Sequence, residues 1–423
     1  MTAFGIIADD LTGACDVGGA FAAVGRRVVV DLGRGAVPRL DDGDVLVVDA
    51  GVRDAAPADV RPAMKRAFAR LAAAGAELRM LKIDSTLRGP VGGMLEAALD
   101  IGGIDTAVVA PAFPEQGRRL VNGRLEAHGV DAGVDLVAML EGLGERVRLT
   151  TGTSLPAVLG AVRGKMKSGG GAVVIVDAEE VSDLEATARA WVERPARVLL
   201  VGSAGLAREV AEVWQRGRGS AQAPKFSVGL GAADPWFLIV AGSPAEATRR
   251  QLNVLAGEID CDVRAISPSC GSSTALSTNH TKGASRTRNP GAKVLVVQTP
   301  PAAVLDRGEA AAALASVVSS LVSATSESPR GHPMGIVLVG GDTSARVLSA
   351  LAVDGLEVRG EVEVGMPAVE LRGGPWDGLT AITKAGGFGG ERALVSAVDF
   401  LARKAGLALP TSSETMRAGS QRE

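Results

Sequence analysis

Phe4-Gly5-Ile6-Ile7-Ala8-Asp9-Asp10-Leu11-Thr12-Gly13-Ala14-Cys15-Asp16 is the stretch that decides the fold class. Five mostly apolar residues run into two adjacent carboxylates, then a Thr-Gly pair, then an apolar helical pattern. That order describes a buried strand entering a helix N-terminus. Ligands of open α/β sheets bind beyond the carboxyl ends of strands. Two carboxylates at such a place cannot be buried cheaply without partners. Asp9 and Asp10 are therefore expected to face a polar ligand, a metal or a cation. Asp10 has a plainer reading as well, as the cap of the first helix.

Outward from this stretch the chain keeps alternating short apolar runs with helical spacing, the α/β signature. Strands are expected at Phe4–Ala8, Arg27–Asp31, Val45–Ala50, Leu78–Ile83, Thr106–Ala110, Ala172–Asp177 and Val198–Gly202. Helical spacing covers Ala56–Ala74, Leu155–Lys167 and Asp183–Val192. Asn122-Gly123 inside Arg118–Glu126 predicts a tight hairpin. Residues 216–231, rich in Gly, Ser, Ala and Lys, read as a linker. A second α/β pattern follows, with strands at Trp236–Ala241, Lys293–Gln298, Ile336–Val339 and Thr380–Thr383. Ser267–Pro290 reads as a polar surface loop.

A length of 423 residues predicts two domains. The boundaries expected are 1–222 and 232–410, with 411–423 as a disordered tail. Aromatic residues make up 3% of the chain and Tyr is absent, so aliphatic side chains must fill both cores. A net charge of −3 with no polybasic run gives no reason to expect nucleic-acid or membrane partners. Cys15, Cys261 and Cys270 suit neither a disulfide framework nor a zinc site. No run reaches the roughly 18–20 apolar residues that span a bilayer, and no charged n-region precedes an apolar one. A cytoplasmic protein is expected.

Candidate chemistry gathers at strand ends. Lys82 and Asp84 lie on one face of a strand terminus with Ile83 opposite. Ser85, Thr86 and Arg88 follow in the loop, and Arg53 stands beyond the strand Val45–Ala50. A cation, an acid and hydroxyls in one loop can bind a polyhydroxy acid, and Arg53 can form a bidentate pair with a carboxylate. Lys82 and Asp84 can equally form a structural ion pair. In the second half Gly242-Ser243, Gly340-Gly341-Asp342-Thr343 and Lys384–Gly389 each stand between a strand and a helix. Glycines there let backbone N–H groups approach phosphate. No Walker A pattern and no protein-kinase signature set occurs.

These stretches together resemble the four-carbon acid sugar kinases. Asp9-Asp10-Leu11-Thr12-Gly13-Ala14 with Asp16 is similar to that family's opening motif. Lys82-Ile83-Asp84-Ser85-Thr86-Leu87-Arg88-Gly89 is similar to its second signature. Val201–Ala207, Ala241-Gly242-Ser243 with Thr248 and Gln251, Gly340–Thr343 and Thr383–Gly389 follow in order, so the resemblance spans about residues 4 to 400. It implies two α/β domains with mostly parallel sheets and an inter-domain active-site cleft. It implies ATP-dependent phosphorylation of a four-carbon sugar acid at the 4-hydroxyl, with Mg²⁺. Substrate binding falls on Asp9, Asp10, Arg53, Lys82, Asp84 and Ser85, and Asp10 and Asp84 are the candidate bases. Nucleotide binding falls on Ser243, Gly340, Gly341, Asp342, Thr343, Lys384, Gly386 and Gly387; the metal ligands are left unassigned. The second signature and Asp-Leu-Thr-Gly point to D-threonate, with D-erythronate next and 3-oxo-tetronate as the alternative within the family. A sugar-acid sensor and an NAD-dependent dehydrogenase are the rival classes. The partners are the sugar acid and ATP, and a homodimer stays open. Two departures bear on the pocket: Pro90 stands where many relatives carry Asn, and Ala127–Leu136 is short.

Overall fold

The computed structural model describes residues 3–127, 133–143, 147–152, 171–193, 198–216, 235–266, 276–277, 293–300, 306–326 and 331–407. The chain forms two compact units, Met1–Pro224 and Lys225–Glu423. The expected helix Leu155–Lys167, most of the linker and the tail lie outside the described residues.

The first unit runs β1 (Ala3–Ala8), α1 (Leu11–Ala23), β2 (Val28–Asp31), β3 (Val45–Asp49), α2 (Pro57–Ala73), β4 (Ala76–Lys82), α3 (Val91–Gly102) and β5 (Thr106–Ala110). It continues through β6 (Arg118–Val121), β7 (Arg124–Ala127), β8 (Val134–Asp135), α4 (Leu136–Leu140), β9 (Val147–Gly152), β10 (Gly171–Val176), α5 (Val181–Val192), β11 (Val198–Gly202) and α6 (Ala204–Arg216). Its main sheet has the order β2-β3-β1-β4-β11-β5-β10-β9, every pair parallel. The uninterrupted Val, Ile and Leu runs follow from this, because helices cover both faces of a parallel sheet and both are buried.

The chain leaves β1 to build β2 and β3 on one side, then crosses to β4 on the other. The carboxyl end of β1 is thus a topological switch point, where the sheet opens a crevice. Beside it, the small residues of α1 let that helix sink until Leu11–Ala22 are all buried. Phe4, Phe21, Trp191 and Trp214 fill the space behind with ring centroids 5.0–6.0 Å apart.

The Asn122-Gly123 turn forms as expected, with φ of 50° and 73°, the mirror-image turn whose twist suits a hairpin. Asp177 pins it by accepting the Gly123 N–H at 2.8 Å.

The second unit runs β12 (Trp236–Ala241), α7 (Glu246–Glu258), β13 (Cys261–Ile266), β14 (Leu276–Ser277), β15 (Lys293–Gln298), α8 (Arg307–Ser326), β16 (Gly335–Val339), α9 (Gly341–Ala350), β17 (Gly355–Glu363), β18 (Met366–Arg372), β19 (Thr380–Lys384) and α10 (Ala393–Lys404). Its strand order is β14-β13-β15-β12-β16-β19-β18-β17. The centre, β13 to β19, is parallel, and both margins are antiparallel. Phe237, Ile239, Val296, Val337, Ile382, Leu394 and Val398 lie in one buried cluster.

Two expectations change here. Leu276 and Ser277 pair with β13, so the stretch read as a surface loop contains a short edge strand. The β17–β18 hairpin was not expected at all. Its Glu357, Arg359, Glu370 and Arg372 form a cross-strand ion-pair network that satisfies charges on a half-buried face.

Candidate active site

In the first unit the sheet places three adjacent loops together, after β1, β3 and β4. Their order β3-β1-β4 brings Arg53, Asp9-Asp10 and Lys82–Arg88 to one spot. The Asp9 backbone joins them. Its N–H donates to Lys82 O at 3.1 Å, and its carbonyl accepts from Val52 and Arg53 at 2.9 and 3.0 Å.

Arg53 is the hub. Its Nε and Nη2 each donate to an Asp9 carboxylate oxygen at 2.8 Å, and its Nη1 bonds Asp10. Asp84 Oδ1 stands 3.7 Å from its Nη2. The bidentate carboxylate expected for Arg53 is thus one of the protein's own. Asp10 does cap α1, since its Oδ1 accepts the Gly13 N–H at 2.7 Å, while its second oxygen turns to Arg53. The capping and ligand readings of Asp10 coexist in one side chain.

Lys82 and Asp84 do not pair. Among the described residues the Lys82 ammonium donates to Ile83 O at 3.0 Å, which leaves it N–H groups for a ligand. It converges with Asp10 and Asp9 above Gly13. A Cβ on Gly13 would lie 2.9 Å from Lys82 Nζ, 2.8 Å from Asp10 Oδ1 and 3.4 Å from Asp9 Oδ1. Asp84 is held by Arg88 instead, through Nε at 2.8 Å and Nη2 at 2.9 Å, and by the Thr86 hydroxyl. Leu87 turns this loop at φ 61°, a left-handed position that a branched side chain adopts only under constraint. Ser85 is buried beside Asp84.

These surroundings separate the two candidate bases. Burial pushes the Asp10 carboxyl up to about 6; Arg53 opposes this, and neighbouring Asp9 adds to it. Burial also acts on Asp84, but the Arg88 hydrogen bonds and the Arg53 charge overcome it and hold that carboxyl well below the usual range. Asp10 can accept a proton near neutral pH, whereas Asp84 is a fixed negative charge.

Two groups here carried no signal in the sequence. Asp49, the last residue of β3, is half-buried and paired in register with Ala8. Burial first, then Asp10, pushes its carboxyl up to about 7. Arg118, at the foot of the hairpin, lies in the field of Asp84, Arg88 and Asp16, and burial lowers its pKa. Asp49 falls inside the expected strand Val45–Ala50 and Arg118 in the expected hairpin, and neither is singled out there.

The second unit repeats the arrangement with other materials. The loops after β12, β16 and β19 leave three adjacent parallel strands. Gly242 N donates to Val339 O at 3.2 Å and Gly340 N to Lys384 O at 2.9 Å. A Cβ on Gly242 would stand 2.1 Å from Thr343 Oγ1, and one on Gly386 would stand 1.8 Å from Ser243 Oγ. Gly340, at φ 106°, opens α9, with Thr343 buried and Asp342 exposed in its first turn; the amides at a helix N-terminus suit an anion. Gly387 is exposed, with open space where a Cβ would be. Lys384, expected to meet the nucleotide, is instead fully buried and bonded to its own loop.

Among the described residues no group of three His, Cys, Asp or Glu side chains could hold a metal by itself. Mg²⁺ usually keeps several waters and takes one or two carboxylates plus substrate phosphates. Asp342, exposed in the first turn of α9, is a carboxylate of the kind such an ion takes.

The family description "Sugar-binding N-terminal domain" matches residues 4–141 and 134–210, and "Nucleotide-binding C-terminal domain" matches 238–394. The D-threonate kinase of Bordetella bronchiseptica is 31% identical over 417 residues, spanning 93% of this chain and 96% of that one. The 3-oxo-tetronate kinase of Methylobacterium radiotolerans is 30% identical over 438 residues, spanning 95% and 99%. A crystal structure of a Haemophilus influenzae protein matches with a TM-score of 0.68 at 20% identity, over 94% of this chain and 100% of the other, which supports the fold.

Proposed function

This chain belongs to the four-carbon acid sugar kinase family, and on that premise we propose that it transfers the γ-phosphate of ATP to the 4-hydroxyl of D-threonate. The first domain, 1–222, takes the sugar acid, and the second, 232–410, takes ATP with Mg²⁺. The observation that carries this reading is the pairing of two unlike strand-end sites in one chain. One offers an ammonium among ordered carboxylates, and the other offers glycine-lined helix and loop amides.

In this reading Lys82 neutralises the substrate carboxylate, with Arg53 holding Asp9 and Asp10 in place for the hydroxyls. Asp84 and Ser85 line the same pocket. Asp10 takes the proton of the attacking hydroxyl. Phosphoryl transfer rests chiefly on positioning and charge stabilisation, so Asp10 orients the acceptor as much as it deprotonates it. Ser243, Gly340–Thr343 and Gly386–Gly387 hold the phosphates, and Asp342 would be the carboxylate that holds the accompanying Mg²⁺. The γ-phosphate must come in line with the acceptor hydroxyl for transfer to occur.

An ADP-release assay over D- and L-threonate, D- and L-erythronate and the 3-oxo-tetronates tests this. The expected result is the highest kcat/KM on D-threonate. Preference for a 3-oxo-tetronate would overturn the substrate choice, and ATP turnover with none of them would overturn the reaction.

A further inference from the structure

The loop Ala385–Gly390 is gripped from one side. Thr248 Oγ1 donates to Gly386 O at 2.8 Å. Gln251 Nε2 lies 3.0, 3.1 and 3.0 Å from the carbonyls of Phe388, Gly389 and Gly390. Both residues are buried on α7. From the strand end, Lys384 Nζ donates to Ala385 O at 2.9 Å and Gly386 O at 3.3 Å. Carbonyls of five of the six loop residues thus point inward. Among the described residues the N–H groups of Gly386, Gly387 and Gly389 have no protein partner.

Lys384 is the unusual member of this set. It is fully buried, and among the described residues no carboxylate pairs with it. A buried cation ordinarily needs an anionic partner. Here carbonyl dipoles replace water around the ammonium, the manner in which a carbonyl-lined site takes a bare monovalent ion. Burial lowers its pKa to about 8, with Glu363 opposing, so it carries its charge at neutral pH.

We propose that Lys384 is a tethered monovalent cation. It orders the carbonyls of Ala385 and Gly386 so that the loop's amides turn outward to the nucleotide phosphates. It is a positioning residue that does not itself touch the nucleotide. This rests on reading the second unit as the ATP site. The tether makes the wild-type enzyme indifferent to whether K⁺ or Na⁺ is the bulk cation.

The test is Lys384→Met, which keeps the apolar stem and removes the charge, with Lys384→Ala as a second variant. Calorimetry of ADP binding to the wild-type enzyme comes first. No ADP binding there would sink the nucleotide-site reading itself. With ADP bound by the wild type, the variants should raise KM for ATP by about tenfold or more, the loss of a charged hydrogen bond. KM for the sugar acid should stay put. K⁺ or NH₄⁺ should then restore ATP binding to the variants, while tetramethylammonium at equal ionic strength should not. Wild-type KM for ATP in the variants, equal losses for both substrates, or no discrimination among the added cations would each overturn the proposal. A variant that fails to fold is refolded with NH₄⁺ or tetramethylammonium present. Recovery with NH₄⁺ alone supports the proposal, and equal recovery or none counts against it.

Discussion

The two sites occupy equivalent places, at the carboxyl ends of three adjacent parallel strands, and are built from opposite materials. After β1, β3 and β4 the work falls to ionised side chains: Arg53 ties Asp9 to Asp10, Arg88 fixes Asp84, and Lys82 stays available. After β12, β16 and β19 it falls to main chain, with glycines at closest approach and buried Thr248, Gln251 and Lys384 holding carbonyls. On the proposed function, the two ligands account for the contrast. A small acid whose hydroxyls differ only in configuration needs directional charges and hydrogen bonds to be told apart. A triphosphate needs many N–H donors and close approach. A charge site therefore fails by losing a partner, and a backbone site by gaining an atom.

Replacing Arg53 should break the comparison most severely. Arg53→Ala leaves Asp9 and Asp10 without their shared partner, and breaking a buried ion pair costs about 3–5 kcal/mol. The expected outcome is a large fall in Tm and loss of sugar-acid binding by calorimetry, with ADP affinity retained. Unchanged Tm and unchanged KM would show that the charge network carries neither stability nor recognition.

A smaller effect should separate the two acids. Asp10→Asn should lower kcat about a hundredfold, in the range for a general base. Asp10 must be ionised to accept a proton, so wild-type kcat/KM should fall as pH drops through about 6. That limb should vanish in Asp10→Asn and persist in Asp84→Asn. If it persists in Asp10→Asn, the titrating group is another, with Asp49, pushed up to about 7, first in line.

The smallest change belongs to the backbone site. Gly386→Ala adds one carbon, placed 1.8 Å from Ser243 Oγ unless something shifts. An overpacking cost of about 1–3 kcal/mol, borne by the nucleotide complex, corresponds to a rise of about five- to 160-fold in KM for ATP. KM for the sugar acid should not change. A parallel rise in both constants would mean that the two sites are not separable in this way.

What could be read beforehand divides along similar lines. Local patterns were legible: the apolar runs of β1 and β3, Asp10 at a helix start, Asn122-Gly123 at a turn, and glycine loops between strand and helix. Pairings across the fold were not. Lys82 and Asp84 are two residues apart and share a strand face, which suggests an ion pair. The chain instead turns at Leu87 and brings Arg88 onto Asp84, while Lys82 leans towards Asp9 and Asp10. Asp49 and Arg118 lie within an expected strand and an expected hairpin, but only the β1–β3 register and the hairpin's placement bring them near the other acids. The strands β17 and β18 were hidden by their own charges, Glu357, Arg359, Glu370 and Arg372, which look solvated singly and neutralise one another across the hairpin. Lys384 resembled a ligand-facing cation because its loop neighbours are glycines, and only burial shows it facing inward.

The Asp9 main chain also bears on how such a pocket can drift through descent. Its carbonyl receives Val52 and Arg53 while its amide reaches Lys82, so one peptide unit sets the spacing of three loops at once. Inserting or deleting a residue between Asp49 and Arg53 would carry the guanidinium away from both carboxylates and unpick a strand end in the same event. Substitution alters one side chain and leaves that spacing whole. A change of substrate is thus reached at lower cost through point replacements, or through segments farther out such as the hairpin foot at Arg118, than through a change in the length of the loop after β3.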